Sequence, residues 1–329
     1  MSFAVLRPLA RGGRRIATGL LIGLGLSTVA HAQQPVTLRV GTSNNFGFAP
    51  TFAARGDDVV PGFKFNVINF VGQSPAMVVA LNAGEIDVAE VGEVVPIGAQ
   101  AANVPFKIVA STQNWGRGQA IIVNQNSPIR SVKDLKGKKI NFVRATNSHW
   151  TLYNALKSEG LSLKDIEPVY LPGGTNLQAV LESGNIDAAV AIDTLLTSFE
   201  RTGSRRLVSA GDVGANNVLY YIVSDEALKT KKEAVAAFVR QLARHVAWSH
   251  EHPEERAKAV AAILKIDPDV ALIAEKNRAA GLRPIDDELV RNNQNIADVF
   301  YAEGLIPAPL KVDSTFVRDF NASIASPTD

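Results

Sequence analysis

Five residues with hydrogen-bonding side chains follow the apolar segment "INFV": Arg144, Thr146, Asn147, Ser148 and His149. Thr, Asn and Ser are favoured at the capping position of a helix, and the helical sequence "SHWTLYNALKSEG" begins at once. The first turn of a helix leaves backbone N–H groups without partners, and its dipole favours negative charge. The segment therefore predicts a site for a compact anion such as a sulfonate or sulfate, to which Arg144 adds a charge-assisted bond.

Two other interpretations of this segment need no bound anion. One is a plain capped helix, with Arg144 turned to solvent. Ser148 and His149 could also be read as a nucleophile and its base, but neighbouring residues on a helix do not face each other. No G-x-S-x-G, H-E-x-x-H, P-loop or G-x-G-x-x-G motif occurs in a supporting context, so we predict a protein that is not an enzyme and has no catalytic residue.

Metal and cofactor sites are equally poorly supported by the sequence. His250 and His252 precede Pro253, and no further ligand pattern accompanies them. A metal site needs three or four ligands at suitable spacing. The prediction is that the protein holds no metal and no cofactor.

Polar residues also follow other predicted strands. "GTSNNFG" supplies Asn44, "VGQSP" supplies Gln73, and "QNWGRG" supplies Trp115. Each segment could be a simple turn, because Asn, Ser and Gly form turns readily. Ligands of open parallel sheets bind beyond the carboxyl ends of the strands, so we expect these three side chains to close around the organic part of a ligand.

The elements that must position these residues follow an alternating pattern. Short apolar runs ("VTLRVG", "FKFNVINF", "IDVAEV", "FKIVAS") alternate with helical ones ("SPAMVVALNAG", "PIGAQAA"). A second set follows, with strands "KKINFV", "IEPVYL", "IDAAVAI" and "RRLVSA" and helices "SHWTLYNALKSEG" and "NLQAVLESG". This alternation predicts an α/β fold built from doubly wound, mostly parallel sheets with flanking helices.

The two sets contain a repeat one hundred residues apart. "ALNAGEIDVA" at 80–89 resembles "VLESGNIDAA" at 180–189. The pattern predicts a helix closed by Gly84 or Gly184 that leads directly into a buried strand. Each unit ends with a carboxylate, Glu93 or Asp193, which we expect to lie near a shared cleft.

The later chain is mainly helical. Val235, Phe238, Val239, Leu242 and Val246 follow helical spacing and predict one apolar face. His245 lies beside that face, and we expect it to be an ordinary surface residue.

The N-terminus has the pattern of an export signal. Four arginines (Arg7, Arg11, Arg14, Arg15) precede "IATGLLIGLGLSTV", and "AHA" offers a cleavage site after residue 32. A membrane anchor is the alternative, but the apolar run is short for a span of roughly 20 residues. We predict a signal peptide over 1–32 that is cleaved on export by the general secretion route.

Charge and cysteine content limit the partners. Removal of 1–32 changes the formal charge from +2 to −2, because this segment has four arginines and no acidic residue. Nucleic-acid binding would need a basic stripe, so we predict none. The chain has no cysteine, which excludes disulfides, a thiol nucleophile and a lipid anchored on cysteine. A soluble periplasmic protein that is not a lipoprotein is the prediction.

From about residue 37 to 312 the chain resembles the periplasmic solute-binding proteins of ABC importers, in the aliphatic-sulfonate, taurine and nitrate group. The resemblance is carried by four segments: "LNAGEIDVAEVGEVVPIGAQAA", "SPIRSVKDLKGKKINFVRATNSHWTLYNALKSEGLSLKDIEPVYLP", "ESGNIDAAVAIDTLLTSFE" and "PIDDELVRNNQNIADVFYAEGLIPAPL". It implies a monomer with the two-lobed, type II periplasmic-binding-protein fold. Lobe 1 would comprise 36–122 plus 211–329, and lobe 2 would comprise 123–210. The ligand would lie between the lobes, and the closed form would dock on a permease in the inner membrane.

The resemblance also suggests site residues. "TNSH", residues 146–149, matches the anion-binding helix start of the family. Gly92 and Glu93 match a Val-Gly-Asp segment of the cleft, and Asp193 matches the Asp of a Trp-Asp-Pro-Tyr segment. Here Glu replaces the first Asp, "AIDTLL" lacks the Trp, Pro and Tyr, and the first-strand loop has Asn44 where Lys is common. These departures leave the ligand open.

The resemblance implies a soluble binding protein that captures an aliphatic sulfonate or related small organic anion for an ABC permease. A neutral or cationic ligand, such as a thiamine-precursor pyrimidine or an amine, is the alternative, because Glu93 and Asp193 could bind positive groups. A sensor domain would use the same cleft. Thiamine-pyrimidine synthases share the fold, but the fungal ones carry a cysteine-rich motif that this chain lacks.

Overall fold

The computed structural model describes residues 34–43, 47–70, 74–172, 174–278 and 281–325. The predicted signal peptide and two predicted site residues, Asn44 and Gln73, lie outside these ranges. Among the described residues, no helix combines the length and the apolar character that a membrane crossing requires.

The described strands form two sheets. In chain order the strands are β1 (Val36–Ser43), β2 (Val59–Val60), β3 (Phe63–Phe70), β4 (Val88–Gly92), β5 (Phe106–Thr112), β6 (Gln119–Asn124), β7 (Lys139–Asn141), β8 (Glu167–Val169), β9 (Ala188–Ile192), β10 (Ser204–Ser209), β11 (Leu219–Ser224) and β12 (Leu282–Arg283). The large sheet has the order β12-β5-β11-β4-β1-β3-β2, and the small sheet has the order β10-β6-β9-β7-β8.

Helices flank both sheets. They are α1 (Ala49–Phe52), α2 (Ser74–Asn82), α3 (Val95–Ala101), α4 (Asn147–Ser158), α5 (Leu177–Glu182), α6 (Asp193–Arg201), α7 (Asp225–Thr230), α8 (Lys232–Glu251), α9 (Pro253–Leu264), α10 (Pro268–Lys276), α11 (Asp287–Ala302) and α12 (Asn321–Ala325). Apolar residues of the large sheet form two buried clusters, one with α2, α3 and α11 and one with α8. The α/β prediction is therefore confirmed.

The prediction of mostly parallel sheets is wrong in its detail, because both sheets are mixed. β1 runs parallel to β3 and β4, but β11 is antiparallel to both β4 and β5. In the small sheet β6 is antiparallel to β9 and β10. β6 and β11 are the first strands after the chain passes from one sheet to the other, and each runs antiparallel to both of its neighbours.

The hundred-residue repeat is a real structural repeat. Gly84 and Gly184 both adopt a left-handed conformation, with φ of 70° and 73°, just after α2 and α5 end. The Asp87 carboxylate accepts a hydrogen bond from the Arg39 backbone N–H at 2.8 Å, and Asp187 does the same with Lys139, also at 2.8 Å. Both sheets therefore use the same helix-to-strand joint beside their first parallel strand.

Two chain segments connect the sheets and pack against each other. One joins β5 to β6, and the other joins β10 to β11. The backbone N–H of Trp115 donates to the backbone carbonyl of Asn216 at 3.0 Å. A Cβ added to Gly116 would lie 2.6 Å from Gly211 Cα. The close approach explains why glycine occupies position 116, whereas a Cβ at Gly211 would come no closer than 3.6 Å to Gly116. We refer to residues 113–118 and 210–218 as the two crossovers.

Candidate ligand-binding site

A small cavity lies beside the crossovers, at the ends of the central strands of the large sheet. Its volume is about 40 Å³, which is room for a few water molecules. Trp115 and Leu219 line it next to the crossovers, and Glu90 of β4 lines it from the sheet. Arg256 of α9 and Arg278, just after α10, supply the charged side of the lining.

The charged side of this cavity is a buried ion cluster. The Arg278 guanidinium donates to the Asp193 carboxylate at 2.9 Å and to Glu275 at 2.8 Å. Arg256 donates to Glu275 at 2.7 Å and also to the Gly47 carbonyl at 2.5 Å. Asp193 follows β9 of the small sheet, whereas the other charges belong to the C-terminal helical segment. Arg278 therefore joins the small sheet to the rest of the molecule.

Asp193 is held in an unusual state. Its backbone has a φ of 57°, which is rare for a residue other than glycine. Its side chain is buried, and its Oδ1 atom has no hydrogen-bond partner among the described residues. Burial raises its pKa to about 6, while the Arg278 charge opposes this rise and the Glu275 carboxylate adds to it. Asp193 does not itself line the cavity, but it pairs with Arg278, which does. A strained, incompletely bonded acid next to a cavity residue indicates function more often than simple support.

The other carboxyl groups of the cluster differ from Asp193. Burial raises the pKa of Glu90, although hydroxyl groups of Thr42 and Tyr221 donate to it, the latter at 2.7 Å. Burial also opposes ionisation of Glu275, but the charges of Arg278 and Arg256 together lower its pKa. Glu275 is therefore the fixed counter-ion of the two arginines.

Trp115 forms the aromatic wall of the cavity. The Arg278 guanidinium carbon lies 5.0 Å from the centre of its ring, within the range of a cation–π contact. Its indole Nε1 is buried and has no hydrogen-bond partner among the described residues. A Cβ added to Gly118 would lie only 2.1 Å from Nε1, so the ring packs directly on the backbone of Gly118. Trp115 thus offers a rigid surface and an unused donor.

The predicted anion cradle at the start of α4 has its side chains bonded within the protein. Thr146 is the N-cap and accepts from the Ser148 N–H at 3.3 Å. Its hydroxyl donates to the Val143 carbonyl at 2.8 Å, and the Ser148 hydroxyl accepts from the Val143 N–H at 3.0 Å. These contacts are those of a capped helix that is fastened to the preceding loop.

Asn147 connects the start of α4 to the end of β4. Its Nδ2 donates to Asn217 Oδ1 at 3.0 Å and to the Val218 carbonyl at 3.2 Å, and its Oδ1 accepts from the Val94 N–H at 3.4 Å. A Cβ added to Gly92 would lie 2.6 Å from this oxygen, so the glycine is needed for the approach. The structure therefore brings together two predicted site residues, Asn147 and Gly92.

Glu93 lies next to this contact and is fully buried. Burial raises its pKa to about 8, although hydrogen bonds from the backbone of Asn217 and Val218 oppose the rise. The side chain is therefore protonated at neutral pH, and its Oε1 has no partner among the described residues. Glu93 lies against one crossover, whereas Asp193 pairs with Arg278, so the two repeat-related acids have different surroundings.

His149 and Arg144 stand apart from the cavity lining. His149 Nδ1 accepts from the Ala145 N–H at 3.2 Å, and its ring lies 5.1 Å from Phe142 and 5.4 Å from Phe300. Burial, with a smaller effect from the Arg144 charge, lowers the pKa of His149 to about 4. Arg144 itself is exposed. His149 is thus a neutral residue that packs between aromatic rings. Its Nδ1 accepts from the Ala145 N–H and not from the Ser148 hydroxyl, as a general base would.

Sequence reasoning missed the arginines of the cluster. Arg278 lies in "EKNRAAG", and Arg256 lies on a helix whose charges look solvated. No motif marks either residue, and their partners are 85 and 19 positions away in the chain. The sequence offers a signal that is weaker than a motif: Arg278 stands directly before a run of small residues after α10.

Residues 68–256 match the family model described as NMT1/THI5 like, which covers more than half of the chain. The chain belongs to the NMT1/THI5-like family. A putative aliphatic sulfonates-binding protein of Escherichia coli (strain K12) is 27% identical over 304 residues, which are 91% of this chain and 93% of that protein. The family resemblance inferred from the sequence is confirmed.

Solved structures of similar proteins have the same fold. The alkanesulfonate-binding protein SsuA from Xanthomonas axonopodis pv. citri, bound to MOPS, superposes with a TM-score of 0.79 at 26% identity, covering 86% of this chain and 99% of that one. The periplasmic aliphatic sulphonate binding protein SsuA from Escherichia coli gives 0.79 and 26%, covering 85% and 97%. Desulfurization enzyme DszB gives 0.66 at 17% identity, covering 88% and 99%, and shares the fold alone.

Proposed function

We propose that this chain is a soluble periplasmic substrate-binding protein of an ABC transporter. It captures an aliphatic sulfonate or a related small organic anion between its two sheets, and it delivers this ligand to a permease in the inner membrane. The observation that carries the proposal is the guanidinium of Arg278, whose side chain is only 13% exposed and lies against an aromatic wall where the small sheet meets the C-terminal helices. A largely desolvated cation of this kind suits a sulfonate.

The proposed capture involves hinge motion. Lobe 1 is built on the large sheet, and lobe 2 is built on the small sheet, which runs from β6 to β10 (119–209). The predicted boundary at 122/123 would cut through β6, so the crossovers 113–118 and 210–218 are the segments between the lobes and act as the hinge. The cavity of about 40 Å³ is smaller than an organic sulfonate needs, so the sheets separate before the ligand enters. Export by a cleaved signal peptide, a monomeric state and the absence of a lipid anchor are parts of the same proposal.

The predicted ligand contacts at residues 146–149 form a separate part of the proposal. The Thr146 and Ser148 side chains are used in capping, so a bound anion at this helix start would be held by backbone N–H groups. Asn44 and Gln73 stay in the proposal as contacts from the loops that follow the first strands.

A cationic ligand is the second candidate. Three buried carboxyl groups (Glu90, Asp193, Glu275) accompany only two arginines in the cluster. Asp193 Oδ1 and Glu93 Oε1 both have no donor among the described residues, so an amine or an aminopyrimidine would find acceptors here. Proteins with this fold also include an enzyme, but this chain has no cysteine to act as a nucleophile.

A thermal-shift and calorimetric screen of residues 33–329 separates these possibilities. The ligands are ethanesulfonate, 2-aminoethanesulfonate, sulfate, nitrate, an aminopyrimidine and the neutral ethyl methyl sulfone. A true ligand at a hundredfold excess over its Kd stabilises the protein by roughly 2.7 kcal/mol. We expect the sulfonates to do so and the sulfone not to.

Binding of the aminopyrimidine alone would contradict the sulfonate proposal and support the second candidate. The double variant Thr146→Ala with Ser148→Ala tests in the same screen whether the two hydroxyl groups contact the ligand. We expect a folded variant to keep its sulfonate binding, because the proposal assigns the anion to backbone N–H groups, and a loss of binding would show that the side chains take part. Incubation of any bound sulfonate followed by sulfite detection tests for turnover, and we expect no sulfite release.

A further inference from the structure

We propose that Arg278 receives the anionic head group of the ligand, and that Asp193 occupies this position as an internal counter-ion until the ligand displaces it. The inference rests on the proposed function and assigns the role of each charged group at the same site. In this arrangement Asp193 is a competitor of the ligand, although the sequence pattern suggests that it is a ligand contact.

The position of Arg278 is the first argument. Its side chain is only 13% exposed, it lines the cavity, and its guanidinium carbon lies 5.0 Å from the centre of the Trp115 ring. Arg278 donates on one side to Glu275, three residues away in the chain. On the other side it donates to Asp193, the first residue of α6, which follows β9 of the small sheet. Glu275 keeps Arg278 charged and oriented whether or not the sheets are closed. The Asp193 side is the one that changes when they separate.

The state of Asp193 is the second argument. Only one of its carboxylate oxygens has a partner among the described residues, and its backbone has a φ of 57°. An optimal buried ion pair would satisfy both oxygens, usually through a bidentate contact with the guanidinium. The contact between Asp193 and Arg278 is therefore suboptimal, and an anion with three oxygens can replace it.

The unused donor of Trp115 is the third argument. Its Nε1 is buried without a partner among the described residues, on the same side chain that stacks near Arg278. A buried donor without an acceptor costs free energy, which a ligand oxygen recovers. A sulfonate can accept from a guanidinium and from an indole at once, because it has three oxygens. The Asp193 carboxylate does not do so.

Charge balance is the fourth argument. Arg256 and Arg278 together with Glu275 leave one positive charge, which ionised Asp193 neutralises. Burial raises the pKa of Glu90, which favours the neutral form of this group. One anionic head group on Arg278 thus takes the place of one carboxylate, and the charge of the cluster is kept.

Calorimetry of residues 33–329 with ethanesulfonate tests the exchange. Asp193→Asn keeps the shape of the side chain and removes its charge, so we expect the affinity to rise on the order of tenfold. Arg278→Gln removes the guanidinium that binds the head group, and we expect the affinity for ethanesulfonate to fall by about tenfold to a hundredfold. Arg318→Gln removes an exposed arginine that pairs with Asp287 at 2.5 Å, and it should bind like the wild type.

The opposite signs make the test decisive, because a gain in affinity cannot result from a folding defect. Equal losses in Asp193→Asn and Arg278→Gln would overturn the inference, since Asp193 would then be a contact of the ligand. No change in either variant would also overturn it. A loss in Asp193→Asn that is confined to 2-aminoethanesulfonate would identify Asp193 as an amine receptor and refute the competition.

Failure of the proposed function gives a different result. If the wild type binds no sulfonate at all, the proposed function is wrong and the exchange falls with it. If the wild type binds ethanesulfonate but the two variants do not respond in opposite directions, the inference alone is wrong.

Discussion

Replacement of Gly118 by alanine should destabilise the protein and displace Trp115. An added Cβ would lie 2.1 Å from Trp115 Nε1 and 2.3 Å from Cε2. The indole cannot flex as a long aliphatic side chain does, and it is buried with 4% exposure, so the whole ring must move. We therefore expect an effect both on stability and on the cavity wall.

The size of the effect follows from two opposing contributions. Extra methyl groups forced into a packed core cost about 1 to 3 kcal/mol. Loss of glycine flexibility in the unfolded chain returns about 0.4 to 1 kcal/mol. The difference between these two ranges spans roughly 0 to 2.6 kcal/mol, so we expect Gly118→Ala to lower the free energy of unfolding by about 1.3 kcal/mol, the middle of that span. The displaced Trp115 should also weaken sulfonate binding.

Gly98→Ala is the matched control. Gly98 is exposed within α3, and an added Cβ would meet nothing within 4 Å. Alanine is favoured over glycine inside a helix, so this variant should gain up to about 1 kcal/mol. Urea unfolding measures both changes, and calorimetry with ethanesulfonate measures binding. A Gly118→Ala protein as stable as Gly98→Ala would refute the packing argument.

Two further predictions concern buried histidines and the α4 cap. Burial lowers the pKa values of His245 and His149 to about 4, so the folded state holds both rings neutral while the unfolded chain protonates near pH 6.5. The contribution of these neutral histidines to the free energy of unfolding is therefore fully present above about pH 6.5. It falls by roughly 3 kcal/mol per histidine between about pH 6.5 and 4. Urea titrations should show a smaller fall over this pH range for His245→Gln. Thr146→Ala should cost about 1 kcal/mol in the same assay whereas Thr146→Ser costs little, and equal stability of the two would contradict the capping role.

His245 shows where local sequence patterns fail. The sequence predicts an exposed residue beside an apolar face, but the side chain is fully buried. Its Nδ1 lies 2.6 Å from Asp57 Oδ2, and its Nε2 lies 3.2 Å from Thr51 Oγ1. This contact has the geometry of an ion pair, yet burial outweighs the Asp57 carboxylate and lowers the histidine pKa, so a neutral imidazole donates to Asp57. Partners that lie about 190 positions away in the chain do not affect the spacing of apolar residues along the helix, so this spacing could not reveal them.

The repeated joint is the opposite case, because its determinants are local. A left-handed glycine, an aspartate and an apolar run lie within ten residues, and each acts on its immediate neighbours. The strands next to the joints were therefore predictable. The predicted strands do not include β6 or β11, whose sequences are "QAIIVN" and "LYYIVS". Even when such runs are recognised as strands, an apolar pattern does not encode direction, so the mixed sheets could not be derived.

The site divides in the same way. Capping residues such as Thr146 are visible in sequence because they act within one helical turn. Trp115 was found because it follows a strand. The Arg278 contact with Asp193 depends on the placement of a C-terminal helix over the small sheet, and only the folded chain brings the two groups together.

The position of β11 has a consequence for the order of folding. β11 lies between β4 and β5, yet residues 113–218 separate it from β5 in the chain. Closing an unstructured loop of about a hundred residues costs roughly 4 kcal/mol in chain entropy. All strands of the small sheet lie inside this loop, and Ala120 near its start pairs with Ser209 near its end. If the small sheet forms first, only the two crossovers remain to be closed. The entropy cost of placing β11 beside β5 is then smaller, and we expect the large sheet to be completed after the small one.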